Sequence, residues 1–152
     1  MNRRKILTSL VAVPLLLSAS LAFAGKAAVF TGLIDGTGAG GDDVVVYQTE
    51  NAAKPGNEAI VADFEGVKYR FISEANRATF TAAPAKYIPA YGGYCAYAVA
   101  KGSTASSDPE AFTVVDGTLY LNYSKGVQSK WQQDTAGNIS KANGNWLKVL
   151  GN

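Results

Sequence analysis

A chain of 152 residues with 14 Lys+Arg, 12 Asp+Glu and a formal charge of +2 fits one domain with room for a buried core. It has no histidine, one cysteine and one methionine, which excludes imidazole-based triads and removes the commonest zinc, copper and haem ligand. The first 24 residues hold three Lys/Arg and no acid, so the remainder carries 11 cations against 12 acids, about −1. With no Lys/Arg cluster in that remainder, electrostatic binding to nucleic acid is excluded as well.

In chain order, Arg3, Arg4 and Lys5 precede an apolar run from Leu7 to Leu21, and Ala22-Phe23-Ala24 forms a small-x-small cleavage pattern. This predicts a signal peptide over 1–24 and a periplasmic protein starting near Gly25. The export route is Sec or twin-arginine; Asn2 to Leu7 matches the twin-arginine pattern loosely, with Ile6 in place of its usual Phe. Gly25, not a cysteine, stands directly after the cleavage pattern, and no stable membrane anchor is expected after cleavage. A lone cysteine in an exported protein has no internal disulfide partner. Cys95 is therefore a free thiol, half of an intermolecular bond, or a small buried hydrophobe.

Residues 25–42 read as a flexible N-terminal segment, with a short β-like patch at Val29-Phe30. Asp35 to Asp43 is glycine-rich with three acids. A phosphate loop would need Lys and then Ser or Thr opening a helix, and an EF-hand needs acids at alternate positions and a closing Glu. A plain loop fits better, with weak Ca²⁺ binding next. Val44 to Tyr47 reads as a short buried strand, and Pro55-Gly56 as a turn. Ile60 to Phe64 and Val67 to Phe71 flank Glu65-Gly66 and predict a hairpin, with Val67, Tyr69 and Phe71 on its buried face. Ser73 caps a helix that Pro84 ends. Tyr94 to Lys101 is an apolar run that fits helix or strand. Phe112 to Val115 and Thr118 to Tyr123 flank Asp116-Gly117, a second hairpin. Ser124 caps an amphipathic helix carrying Val127 and Trp131, and a last helical segment after a break near Gly137 reaches Trp146-Leu147. The two hairpins differ in flanks and length, so no internal repeat is expected. The class is α+β: a small antiparallel sheet built from two hairpins, with helices packed on one face.

The run Tyr69-Arg70-Phe71-Ile72-Ser73, then Phe80, Pro84, Lys86-Tyr87, Pro89 and Tyr91-Gly92-Gly93-Tyr94-Cys95-Ala96-Tyr97, resembles the exported YHS-domain proteins of bacteria. Asp108-Pro109-Glu110-Ala111, Val115-Asp116-Gly117, Leu119 to Asn122, Lys130-Trp131 and Asn145-Trp146 extend the resemblance, which implies a YHS-like domain over about 43–150. Two departures matter. The family's usual Tyr-Asp-Pro opening stands here as Asp42-Asp43-Val44, which puts any role of that opening in doubt. Where metal-binding YHS domains carry cysteines, this chain has Ile72 and Asn76. The resemblance carries no established activity with it.

Chemistry concentrates between Phe80 and Lys101, where half of the eight tyrosines surround Cys95 and a Gly92-Gly93 hinge. One soft ligand cannot build a soft-metal site in a single protomer, so no metal and no cofactor is expected. The acids lie in or beside predicted turns, which disfavours an enzyme working with carboxylates and tyrosines alone. Core packing is the ordinary role of such tyrosines. The functional reading is a pocket formed by Tyr87, Tyr91, Tyr94, Cys95, Tyr97 and Trp131 that binds a small molecule or a protein. The sequence thus favours a non-catalytic binding module over an enzyme. The alternative is a thiol-based redox or metal-sensing protein acting through Cys95.

Overall fold

The computed structural model describes residues 25–151. The expected signal peptide lies outside the described residues. Among those described, no helix is long and apolar enough to cross a membrane.

The chain runs through one structural motif twice. A left-handed turn at Gly38–Gly41 leads into helix α1 (Val44–Glu50), a hairpin of β1 (Asn57–Phe64) and β2 (Val67–Phe71), helix α2 (Glu74–Ala82) and a single turn, α3 (Pro84–Tyr87). A second left-handed turn at Ala90–Gly93 then leads into α4 (Ala96–Ala100), β3 (Asp108–Val115), β4 (Thr118–Asn122), α5 (Lys125–Gln132) and the long α6 (Thr135–Gly151). Details agree between the halves. Ala39, Gly40 and Gly41 have φ of 52°, 62° and 86°, and Tyr91, Gly92 and Gly93 have 54°, 60° and 80°. Both hairpins close on an acid–glycine pair with positive φ at both positions, Glu65-Gly66 and Asp116-Gly117, the I′ geometry that matches strand twist. Both carry the same irregularity: Asn57 pairs with Phe71 and the next pair is Val61 with Arg70; Asp108 pairs with Asn122 and the next is Phe112 with Leu121. Ser73 Oγ accepts from Asn76 N–H, and Ser124 Oγ from Val127 N–H. The expectation of no internal repeat is therefore corrected. The halves share backbone geometry while few of their paired residues are identical.

The α+β class is as expected, with both hairpins and the Ser-capped helices where the sequence places them. The hairpins do not share a sheet, however; each forms its own two-stranded sheet. Each hairpin instead buries one face under its own helix. In the first half Tyr69, Phe71 and Phe80 meet at ring-centroid distances of 5.1 Å. In the second, Tyr120 and Trp131 meet at 5.2 Å.

Two local expectations also change. Val44 to Tyr47 is helix, not strand. Asp43 accepts from Val45 N–H at 2.9 Å and caps the helix, and complete burial of Val44, Val45, Val46 and Tyr47 outweighs the strand preference of three valines. Gly137 lies inside α6 rather than at a break, because Asp134 Oδ1 accepts from its N–H.

The N-terminal segment lies along the second half as a strap. Lys26 N–H donates to Leu150 O, Phe30 N–H to Gly92 O and Tyr94 Oη to Ala27 O, at 3.0, 2.9 and 2.9 Å. A Cβ on Gly92 would stand 1.9 Å from Ala28 O, whereas one on Gly66, also at positive φ, would meet nothing within 4 Å. Gly66→Ala is expected to cost ~1 kcal/mol from its left-handed backbone alone. Gly92→Ala is expected to cost roughly 3 kcal/mol, because the strap is displaced as well. Urea unfolding of the two variants measures the difference.

Candidate functional site

Five of the six residues of the expected pocket divide between two cores, and the sixth, Cys95, is buried but belongs to neither. Tyr87 packs with Val44, Val45, Tyr69, Phe71 and Phe80 in the first half. Tyr91 and Trp131 pack in the second with Tyr120, Val99, Ala142 and Val149, and Tyr94, Tyr97 and Trp146 border them. Tyr91 lies 5.8 Å from Trp146 and 5.9 Å from Tyr120 between ring centroids. Pro89 and the left-handed turn separate Tyr87 from Tyr91, so their spacing of four does not place them on one helix face.

Burial sets the character of these groups. Cys95 is 1% exposed, and Asn122 and Trp131 are fully buried. Asn122 Oδ1 accepts from Tyr97 N–H at 3.1 Å and from Cys95 Sγ at 3.6 Å. It thereby caps α4 from the end of β4, the service that Asp43 gives α1 from within its own segment. Asp43 Oδ2 also accepts from Ile72 N–H and Asn76 Nδ2, both at 2.8 Å. Asn122 has no counterpart for these contacts, and its Nδ2, like Trp131 Nε1, is a buried donor without a partner among the described residues. The Tyr97 ring lies under Lys101 Nζ at 5.0 Å. Burial pushes the Tyr91 hydroxyl up to about 12, and raises that of Tyr94 above its ordinary value.

An open groove borders this core. Val115, Asp116, Thr135, Ala136, Ile139, Ser140 and Asn143 line about 500 Å³ between the β3–β4 turn and the first half of α6. Tyr91 Oη donates to Asn143 Oδ1 at 2.8 Å and lies 3.4 Å from Ile139 O. The tyrosine core thus sets the orientation of a groove residue from behind. Tyr91 stands out in the sequence, but the groove does not, since most of its polar groups are scattered along a helix that carries no motif. A second hollow, against Glu74, Arg77, Ala78, Thr81 and Ala82, lies on the outer face of α2.

Between the halves sits a buried carboxyl. Asp42 is 7% exposed, and its Oδ2 lies 3.3 Å from Tyr47 Oη, which is 3.0 Å from Pro109 O. Desolvation raises Asp42 from 3.8 to about 6; the Tyr47 hydrogen bond opposes this, and Glu110, Asp108 and Asp43 add to it. Burial holds the Tyr47 phenol far above its ordinary range. Among the described residues no group of three or more His, Cys, Asp or Glu is placed to hold a metal ion. Compared with family models, curated proteins and solved structures, the chain matches none.

Two outcomes follow from these environments. Because the folded state binds the Asp42 proton more tightly than the unfolded chain, its contribution to stability is complete below pH 3.8 and is lost as the pH rises through about 6. Asp42→Asn is expected to match the wild type at pH 4 and to exceed it at pH 7.5 by on the order of 2 kcal/mol in urea unfolding. Cys95 is expected to resist a thiol reagent in the native protein and to react at once in denaturant; rapid stoichiometric labelling of the native state would contradict the burial described.

Proposed function

We propose that the protein is an exported, non-catalytic binding module of the YHS type. It takes a small, uncharged, hydroxyl- or amide-bearing ligand in the groove between the β3–β4 turn and α6. One arrangement carries this reading: Tyr91, held by the second core, donates to Asn143 Oδ1. That bond fixes the Asn143 amide and leaves its Nδ2 as a donor for a ligand. Thr135 and Ser140 add hydroxyls, the Asp116 carboxylate adds an acceptor, and Val115, Ala136 and Ile139 supply apolar surface. A few placed polar groups over an apolar floor, in a volume of this size, suit small-molecule recognition. The tyrosines then act from behind the site rather than as its lining. The resemblance to the exported YHS proteins supports the assignment through its residues Tyr91 to Tyr97 and Val115 to Gly117.

The test is an NMR titration of the ¹⁵N-labelled protein with monosaccharides, polyols and amino-acid amides. Amide shifts are expected at Val115, Asp116, Ile139, Ser140 and Asn143. Ser140→Trp changes an exposed residue, fills the groove and is expected to abolish them while leaving the core resonances in place. A response to none of these probes, together with no small molecule retained in native mass spectrometry of protein purified from its own periplasm, would end the proposal.

A further inference from the structure

The contact between the two halves contains one hydroxyl proton and two acceptors for it. Tyr47 Oη lies 3.0 Å from Pro109 O on β3 and 3.3 Å from Asp42 Oδ2, at the head of α1. Tyr47 is fully buried and Asp42 nearly so, which makes water a poor substitute for either partner. A phenol donates one hydrogen bond. If Asp42 is neutral, its own proton serves Tyr47 Oη, and the Tyr47 proton is free for Pro109 O. If Asp42 is ionised, it can only accept, and a carboxylate outcompetes a neutral carbonyl for the single donor.

We propose that Asp42 is a proton-operated latch between the halves: protonated, it completes a chain from Asp42 through Tyr47 to Pro109 O; ionised, it draws the Tyr47 hydroxyl to itself and releases Pro109. The proton leaving Asp42 goes to solvent, Tyr47 keeps its own, and no covalent bond changes.

The surroundings reinforce the release. From β3, Asp108 and Glu110 flank Pro109 and face Asp42; Asp43 follows Asp42 in the chain, and all three oppose a negative charge there. Lys125 Nζ donates to Glu110 O. Lys54, before the Asp42–Pro55 bridge, is paired with Glu50. Arg70 on β2 passes Gly41, with its Nη1 3.8 Å from where a Cβ there would stand. The ion pairs among the described residues are Lys54–Glu50 and Arg77–Glu74, so Asp42 has no cation paired with it. The mechanical link is short: a Cβ on Gly40 would stand 2.6 Å from Pro109 Cγ, so the first left-handed turn rests directly on the residue whose carbonyl is released. The burial that raises Asp42 to about 6 sets the working range: latched in mild acid, released at neutral pH.

The experiment follows the Pro109 carbonyl and Asp42 carboxyl ¹³C resonances of uniformly labelled protein from pH 4 to pH 8. The expected result is one shared transition near pH 6, with the Pro109 carbonyl moving upfield as its donor leaves. Asp42→Asn and Tyr47→Phe are each expected to flatten the Pro109 curve. A Pro109 carbonyl that stays flat in the wild type, or one whose midpoint differs from that of Asp42, overturns the latch. So does a transition that survives in folded Asp42→Asn. The wild-type titration decides the matter even if neither variant folds. A purely structural Asp42 would alter stability without moving the Pro109 carbonyl in step with its own titration.

Discussion

A buried side-chain oxygen at the head of a short helix ties each half of the molecule together. Helices α1 and α4 have 7 and 5 residues, too few to persist without tertiary support. In the first half Asp43 supplies that support and more. Its two oxygens take Val45 N–H in α1, Ile72 N–H at the end of β2 and Asn76 Nδ2 in α2. Three elements thereby share one carboxylate. In the second half Asn122 reaches the other way, from the end of β4 to Tyr97 N–H. The joint is the same and its chemistry is neutral.

That exchange accounts for the other oddities of the second half. With the cap supplied by Asn122, the position matching Asp43 need not carry a carboxylate, and Cys95 occupies it as a small buried group donating to the same amide. The position matching Phe71 then holds Asn122 instead of an aromatic ring. Tyr120 keeps its contact with Trp131, as Tyr69 does with Phe80, but the third ring is missing. Asn122 Nδ2, without a partner among the described residues, is the cost of a polar group where the first half has an apolar one.

The hairpins and their capped helices were legible in the sequence because their signals are local. Acid–glycine turns, alternation on Val67, Tyr69 and Phe71, and serines before Glu74 and Lys125 each act within a few residues. The α1 helix was not legible, since three valines speak for a strand and only burial and the Asp43 cap decide otherwise. The repeat was hidden for a related reason. What the halves share is backbone conformation, preserved by the Gly40-Gly41 and Gly92-Gly93 pairs, the two hairpin glycines, Tyr69 with Tyr120 and Ser73 with Ser124. The other paired positions diverge, as Asp43 and Cys95 do. The tyrosine cluster was legible as a dense region, but not its division between two cores, because the chain reverses at Tyr91 in a conformation unusual for any residue with a side chain.

The halves differ at the place where the proposed binding groove lies. Up to α2 and α5 the two passes correspond element by element. After that they part: the first ends in the four residues of α3, the second in the seventeen of α6. The groove that meets Tyr91 is walled by this unmatched helix and by the turn of the second hairpin. The inner face of α6 is committed to the second core through Ala142 and Val149, but its outward residues Ser140 and Asn143 are exposed, so in the proposed binding role they can serve recognition without disturbing the joint beneath. In the proposed binding role the tyrosines act from the interior. Tyr91 meets the groove through one hydrogen bond to Asn143, while its ring stays in the core that keeps that bond in place.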